Sequence, residues 1–316
     1  MTSEEFKKRL EKFKNILPGD SPYLKTYRLT IKSKNEGENI ITFFTEKFNY
    51  LSPTIWIEKI KEHNLLVNSK EITLDYNLKT GDLVTHSTPV KKEPKINPYI
   101  ELIADNENYS IINKPSPLPM HGCGRYLKNT LENILTSAFP EQIYKIVHRL
   151  DSNTTGLIVL AKNKNTAAYF NNLFKTNQLT KTYLAWVEGN TPATFYSKTS
   201  IAKEKKAGGS RETINNEQQS ETHFKKIKST DQYSLLEISP KTGRTNQIRL
   251  HLAELGHPIV GDIGYKDKTF FKNNPFTYPT DSMYLHAWKL HFEDLNNKTI
   301  EFEAPIPLKF KNFTYE

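Results

Sequence analysis

Apolar side chains recur at Phe6, Leu10, Phe13 and Leu17, three or four residues apart, behind Thr2 and Ser3. That spacing gathers them on one face of a helix expected to stop near Pro18-Gly19. Tyr27, Leu29 and Ile31 then alternate as strand positions do, and the run from Ile40 to Phe48 reads as a second helix. From Thr54 the pattern predicts a short helix bearing Ile57 and Ile60. A strand at Leu65-Leu66-Val67, a turn at Asn68-Ser69, and Lys79-Thr80-Gly81-Asp82 before Leu83-Val84 follow.

Between Ser87 and Pro98 the apolar pattern lapses. Pro89, Pro94 and Pro98 stand there among Lys91, Lys92, Glu93 and Lys95, the composition of a linker. Beyond it, short strands are expected at Ile100–Ala104, Tyr109–Asn113, Gly156–Lys162, Lys181–Glu188, Thr222–Ile227, Tyr233–Ile238, Met283–Phe292 and Thr299–Glu303. Helical patterns at Leu131–Ser137, Thr166–Lys175 and Asn246–Leu255 interrupt them irregularly, which argues against the steady alternation of a parallel α/β fold. The expected class is α+β, a mainly antiparallel mixed sheet flanked by helices. The domains expected are a helix-and-strand extension (1–37), a small module (38–86), a linker (87–98) and a large domain (99–316).

Composition narrows the class of partner. The chain has 316 residues with 17 Phe, 16 Tyr and 3 Trp, enough to build a core, and a formal charge of +9 that favours an anionic partner such as nucleic acid. Lysine carries most of that charge. The arginines are seven, and three of them, Arg149, Arg244 and Arg249, fall inside the motifs below, where a planar fork marks geometry as well as charge. The single cysteine, Cys123, rules out an intramolecular disulfide and fits a reducing compartment. With no secretory pattern at the amino terminus and no apolar run of membrane-spanning length, a cytoplasmic protein without membrane attachment is expected.

Three segments carry candidate chemistry. His148-Arg149-Leu150-Asp151-Ser152-Asn153-Thr154-Thr155-Gly156 is ordinary turn composition taken alone, although an extended chain would point Arg149 and Asp151 to one side. Lys181-Thr182-Tyr183-Leu184-Ala185 reads as a strand with Lys181 and Tyr183 on one face. In Thr242-Gly243-Arg244-Thr245-Asn246-Gln247-Ile248-Arg249 a glycine turn leads into a helix with Thr245 as the expected N-cap. Ile248, Leu252 and Leu255 are its expected apolar stripe, with Arg249 at the margin.

Together, in this order, these segments resemble the RluA-type pseudouridine synthases over roughly residues 99 to 305. Ile112-Asn113-Lys114-Pro115, Gly256-His257-Pro258-Ile259-Val260-Gly261-Asp262 and Leu285-His286-Ala287 extend the match. The resemblance implies conversion of uridine to pseudouridine in ribosomal or transfer RNA, by a monomer needing neither cofactor nor metal. It makes Asp151 the catalytic carboxylate, Arg249 its forked ionic partner and Tyr183 the residue stacked near the target uracil. It also makes Arg149, Arg244, Gln247 and Lys181 contacts to the RNA. Two positions depart from the pattern: Thr155 stands where serine is usual and Asn246 where histidine is usual.

The small module resembles an αL RNA-binding module, although Ser52-Pro53-Thr54-Ile55 stands where basic residues are often found. A catalytically inactive RNA-binding or ribosome-assembly factor is the alternative reading. A glycoside hydrolase would require two carboxylates flanking the bond, and only Asp151 is nominated by a motif, Asp262 being read as structural. His251, His257, His286 and His291 lack zinc-site spacing and are read as structural or RNA-facing. Lys203 to Arg211 is expected to form a basic loop.

Overall fold

The computed structural model describes residues 1–49, 51–90, 92–202, 218–266 and 283–313. The expected basic loop at Lys203 to Arg211 lies outside them. The chain divides into two compact units, Met1–Gly19 with Pro94–Glu316, and Asp20–Glu93. The amino-terminal extension expected over 1–37 is thereby split. Its helix, α1 (Ser3–Leu10), belongs to the large unit, where Phe6 and Leu10 are buried and Phe6 stacks on Phe139 at 5.0 Å. A capping box fastens the start of α1: the Thr2 side chain accepts from the Glu5 amide, and the Glu5 carboxylate accepts from the Thr2 amide.

The small unit contains β1 (Tyr23–Thr30), α2 (Ile40–Lys47), α3 (Pro53–Lys61), β2 (Leu65–Val67) and β3 (Leu83–Val90). Its antiparallel sheet runs β1-β3-β2 and packs with the helices around Ile40, Phe44, Trp56, Leu65 and Val84. Gly81 takes a φ of +88°, and the buried Asp82 after it accepts hydrogen bonds from Asn68 Nδ2, Tyr76 Oη and the Lys79 amide, each at 2.9 Å. The expected linker is shorter than its composition suggests, because Ser87–Val90 continue β3 along β1. Pro89 fits because its nitrogen faces the side of β3 that β2, paired only as far as His86, leaves open.

The large unit is built on one sheet of, among the described residues, ten strands. These are β4 (Glu101–Asp105), β5 (Tyr109–Lys114), β6 (Lys145–Ile146), β7 (Thr155–Ala161), β8 (Thr180–Glu188), β9 (Thr194–Ile201), β10 (Gln218–Ser229), β11 (Tyr233–Pro240), β12 (Leu285–Glu293) and β13 (Thr299–Glu303). The order is β4-β5-β7-β12-β8-β11-β10-β9, with β13 on β12 and β6 on β7. Among the described residues, only β7 and β12 pair in parallel. Helices α4 (Leu131–Ala138), α5 (Lys164–Lys175), α6 (Gln247–Glu254), α7 (Ile263–Lys266) and α8 (Leu308–Lys311) complete the unit. The expected α+β class, with a mixed, mostly antiparallel sheet flanked by helices, is what forms. Strand β9 escaped the pattern because it is a hydroxyl-rich edge strand whose outward Tyr196 and Lys198 break any apolar alternation.

The parallel contact positions the first motif. Gly156 lies opposite Ala287 at a φ of +116°, and a Cβ there would sit 2.2 Å from the Ala287 carbonyl oxygen. Backbone cannot step aside as a side chain can. Gly156→Ala is therefore expected to lose at least about 3 kcal/mol, from overpacking and a forbidden φ together. A urea midpoint equal to that of the wild type would refute the strict need for glycine.

Candidate active site

The catalytic candidates come from a turn before β7, from strand β8 and from helix α6. Across β7, β12 and β8, Gly156, Ala287 and Tyr183 stand in register, which sets Tyr183 about 10 Å from Gly156 at the usual strand spacing. Asp151 sits in the turn just before β7, where the Thr154 amide donates to its carbonyl at 3.1 Å. The turn is held from below by Lys114. This fully buried ammonium donates to the carbonyl oxygens of Pro115 at 2.9 Å, Leu118 at 3.0 Å and Ser152 at 3.0 Å. The Leu118 amide also donates to the Ser152 carbonyl at 2.9 Å.

His148 anchors the other side of the turn. Its Nε2 accepts from the Val159 amide at 3.0 Å, so the neutral ring carries its proton on Nδ1. Burial, assisted by the nearby Lys181 charge, pushes its pKa down to about 3, which keeps the ring an acceptor at neutral pH.

Helix α6 supplies Arg249, whose Nη1 donates to Asp151 Oδ2 at 2.9 Å. The expected ion pair is present, yet the fork belongs to a different carboxylate. Nε donates to Asp262 Oδ2 at 2.7 Å and Nη2 to Asp262 Oδ1 at 2.8 Å. Asp262 is 2% exposed, so this two-bond pair holds the Nε and Nη2 edge of the guanidinium in a protected setting. Burial alone would lower the pKa of Arg249, but Asp262 and then Asp151 hold it well above its ordinary value. Two carboxylates thus share one permanent cation, and the residual negative charge is left to Asp151.

Tyr183 is 8% exposed, and burial together with the Asp151 charge raises its pKa well above that of an ordinary phenol. It stays protonated beside the carboxylate. Lys181, half-buried on the same strand, lies 5.5 Å from the Phe174 ring centroid, and burial lowers its pKa. Its Nζ is 3.3 Å from where a Cβ on Gly243 would stand, so strand and turn meet there. Arg149 and Arg244 are both exposed, and Arg244 Nε reaches the Gln219 carbonyl at 3.4 Å.

Gln247 is not placed to touch a substrate. Its Oε1 accepts from Thr242 Oγ1 at 2.7 Å and from the Arg244 amide at 3.0 Å, and its Nε2 donates to the Glu221 carbonyl and to Thr222 Oγ1. Its oxygen holds the turn, and both amide hydrogens are spent on strand β10. The expected cap at Thr245 is also replaced. Asn246 occupies the cap position in left-handed backbone, and the helix spans Gln247–Glu254 with Leu255 exposed beyond it. Instead of Leu255, the buried face includes Leu250 and His251.

The histidines take separate roles. His251 lies between Thr222 Oγ1 and Ser220 Oγ, each at 2.9 Å, while His286 Nδ1 bonds Thr155 Oγ1 at 2.8 Å. Burial lowers the pKa of both to about 4, leaving them neutral supports of the sheet. His257 Nδ1 donates to the Glu188 carbonyl at 3.0 Å, and His291 is exposed. Sequence reasoning missed the fork on Asp262 and the three-carbonyl seat of Lys114. The only signals were the Gly-Asp and Asn-Lys-Pro strings, neither of which says what its side chain touches.

Comparison with known proteins identifies the family. The family profile described as RNA pseudouridylate synthase matches residues 108–254. Ribosomal large subunit pseudouridine synthase C of Buchnera aphidicola subsp. Baizongia pistaciae is 30% identical over 306 residues, covering 90% of this chain and 96% of that protein. The mitochondrial tRNA pseudouridine(32) synthase of Saccharomyces cerevisiae is 30% identical over 261 residues, 80% of this chain and 56% of that one. Among solved structures, human RNA pseudouridylate synthase domain containing 1 superposes with a TM-score of 0.54 at 26% identity, over 67% of this chain and 86% of its own. No helix among the described residues is long and apolar enough to cross a membrane. With the three motif segments meeting around one carboxylate and relatives matching over nearly its whole length, the chain belongs to the RluA-type family of RNA pseudouridine synthases and is an isomerase.

Proposed function

We propose that the enzyme isomerises uridine in large-subunit ribosomal RNA, with Asp151 as the carboxylate that works at the ribose. The observation that carries this reading is the Arg249 bridge, bonded once to Asp151 at 2.9 Å and held by its other edge on Asp262. In the reaction the N1–C1′ bond breaks, the uracil turns, and C5 bonds to C1′. A hydrogen leaves C5 and one is gained at N1, so no cofactor is called for. Asp151 acts in a site that substrate covers, and the guanidinium bonded to it supplies the countercharge there. Tyr183, kept as a phenol, stacks against the uracil with its hydroxyl near the ribose.

Extruding the target base from its stack costs a few kcal/mol. Arg149, Arg244 and Lys181 offset it through the RNA backbone. The exposure of both arginines supports this role, and so does a lysine whose desolvated charge gains from an approaching phosphate. Gln247 acts one step back, by holding the turn that presents Arg244.

Ribosomal RNA is favoured over transfer RNA by coverage. The Buchnera relative matches over 90% of this chain and 96% of its own length, so nearly all of that protein is shared, whereas the yeast tRNA enzyme matches over 80% of this chain and only 56% of its own length. The unit Asp20–Glu93 serves on this reading as the accessory RNA-binding module. The single cysteine fits action in the cytoplasm.

Chemical mapping of pseudouridines in total RNA from cells with and without the gene is the test. Sites lost from the large ribosomal RNA are expected. Losses confined to transfer RNA would overturn the substrate assignment, and an unchanged map would overturn the activity.

A further inference from the structure

Asn246 precedes α6 with φ 58° and ψ 16°, backbone that asparagine tolerates better than most residues. Its side chain makes no cap hydrogen bond to the helix. Instead Nδ2 donates to Tyr265 Oη at 3.1 Å, and Oδ1 accepts from Arg249 Nη1 at 3.3 Å. The Tyr265 ring completes the circuit, because the Arg249 guanidinium carbon lies 4.9 Å from its centroid. The amide, the phenol and the guanidinium therefore form a closed triangle beside Asp151.

We infer that Asn246 and Tyr265 are a positioning pair that holds Arg249 Nη1 on Asp151. The inference rests on the proposed role of Asp151. Asp262 grips only the Nε and Nη2 edge, so the plane can still tilt about that edge and swing Nη1 away. The Tyr265 ring, 9% exposed, limits the tilt from one face. Asn246 takes one Nη1 hydrogen, which leaves the other aimed at the carboxylate. With both hydrogens engaged, Nη1 resists being drawn off by an incoming RNA phosphate, which would otherwise compete through a charge-assisted bond.

The residue type follows from these demands. A short amide combines left-handed backbone with one donor for Tyr265 and one neutral acceptor for Arg249. Glycine meets the first demand alone. Aspartate offers no donor, and its charge would compete with Asp151 for the same nitrogen.

The test uses Asn246→Gly, which keeps the backbone and removes the amide, and Tyr265→Phe, which keeps the ring and removes the hydroxyl. Each is expected to lower kcat by about tenfold, on the scale of one hydrogen bond, with KM for RNA unchanged. The double variant should lose little more than either single one, because the two groups act through one bond. Asn246→Asp should lose more than Asn246→Gly.

A nitrogen-15 spectrum of the free protein supplies a readout apart from activity. Arg249 Nη1 hydrogens, assigned by their loss in Arg249→Lys, should be resolved in the wild type and broadened in Asn246→Gly. If Asp151→Asn is inactive while Asn246→Gly and Tyr265→Phe turn over at the wild-type rate, or lose only in KM, the positioning role is wrong and the catalytic reading stands. If the wild type makes no pseudouridine, the catalytic reading fails. The spectrum then decides the pair: unchanged Nη1 signals overturn it, and broadened ones sustain it.

Discussion

Asp151→Asn is expected to lower pseudouridine formation by at least about 10³-fold, the scale on which loss of a central catalytic group is felt. The substitution is nearly isosteric. An asparagine oxygen can still accept from Arg249 Nη1, and Asp262 still balances the guanidinium charge, so the buried cation is not abandoned. Circular dichroism and the urea midpoint should therefore stay close to wild type, within about 1 kcal/mol, and RNA affinity should persist. What disappears is the negative charge at the ribose. Undiminished turnover by the folded variant would end the assignment of Asp151. Full rescue of a deletion phenotype by the inactive variant would show instead that binding or ribosome assembly is the working role.

The second large effect is expected at Asp262. Asp262→Ala removes both bonds of the fork from Arg249, whose side chain is only 14% exposed. Breaking one partner out of a buried pair commonly costs 3–5 kcal/mol, about what is expected here as a lowered urea midpoint. The catalytic effect is separable. Asp262→Asn keeps the shape but weakens the grip, so Arg249 gains freedom to turn its fork toward Asp151 and draw that carboxylate out of line. A displacement of about 1 Å is enough to lose on the order of 10² in rate. The loss should fall on kcat with KM for RNA little changed. A defect in KM alone would mean that Asp262 serves RNA binding, and wild-type kinetics would mean that the single Nη1 bond suffices by itself.

These expectations differ from what the motifs alone suggest. Asp151, Tyr183 and Arg249 were each legible, because all three lie inside strings specific to the family, and the structure places them around one site. Their pairing was legible only in part. A forked pair between Arg249 and Asp151 was the natural expectation, and Asp262, behind a loop glycine, read as structural. The tertiary structure gives the fork to Asp262 because α6 and the loop before α7 pack that carboxylate under the Nε edge, leaving one Nη1 hydrogen for Asp151. Gln247 shows the converse. As a polar residue in a motif it invited a substrate contact, and the turn and strand β10 together consumed its hydrogen-bonding capacity.

The secondary elements divide in a similar way. Strongly periodic stretches such as Tyr109–Lys114 and Lys164–Lys175 carry buried faces that the apolar pattern announces. Strand β9 is defined mainly by its ladder to β10, and its own residues advertise little. Ser87–Val90 were misread as linker for the same reason, since the ladder to β1 and the open side beside Pro89 exist only once the sheet forms.

The sequence by itself determined the α+β class, the family, and which carboxylate, phenol and guanidinium were nominated for the site, because local periodicity and short motifs depend on neighbours a few residues apart. The tertiary structure alone decided the division of labour around Arg249. Asp151 and Asp262 lie 98 and 13 residues from it, and Tyr265 enters from α7, next to Asp262. The direction of a hydrogen bond between such distant groups is set by how strands and helices pack, a property that no string of neighbouring residues contains.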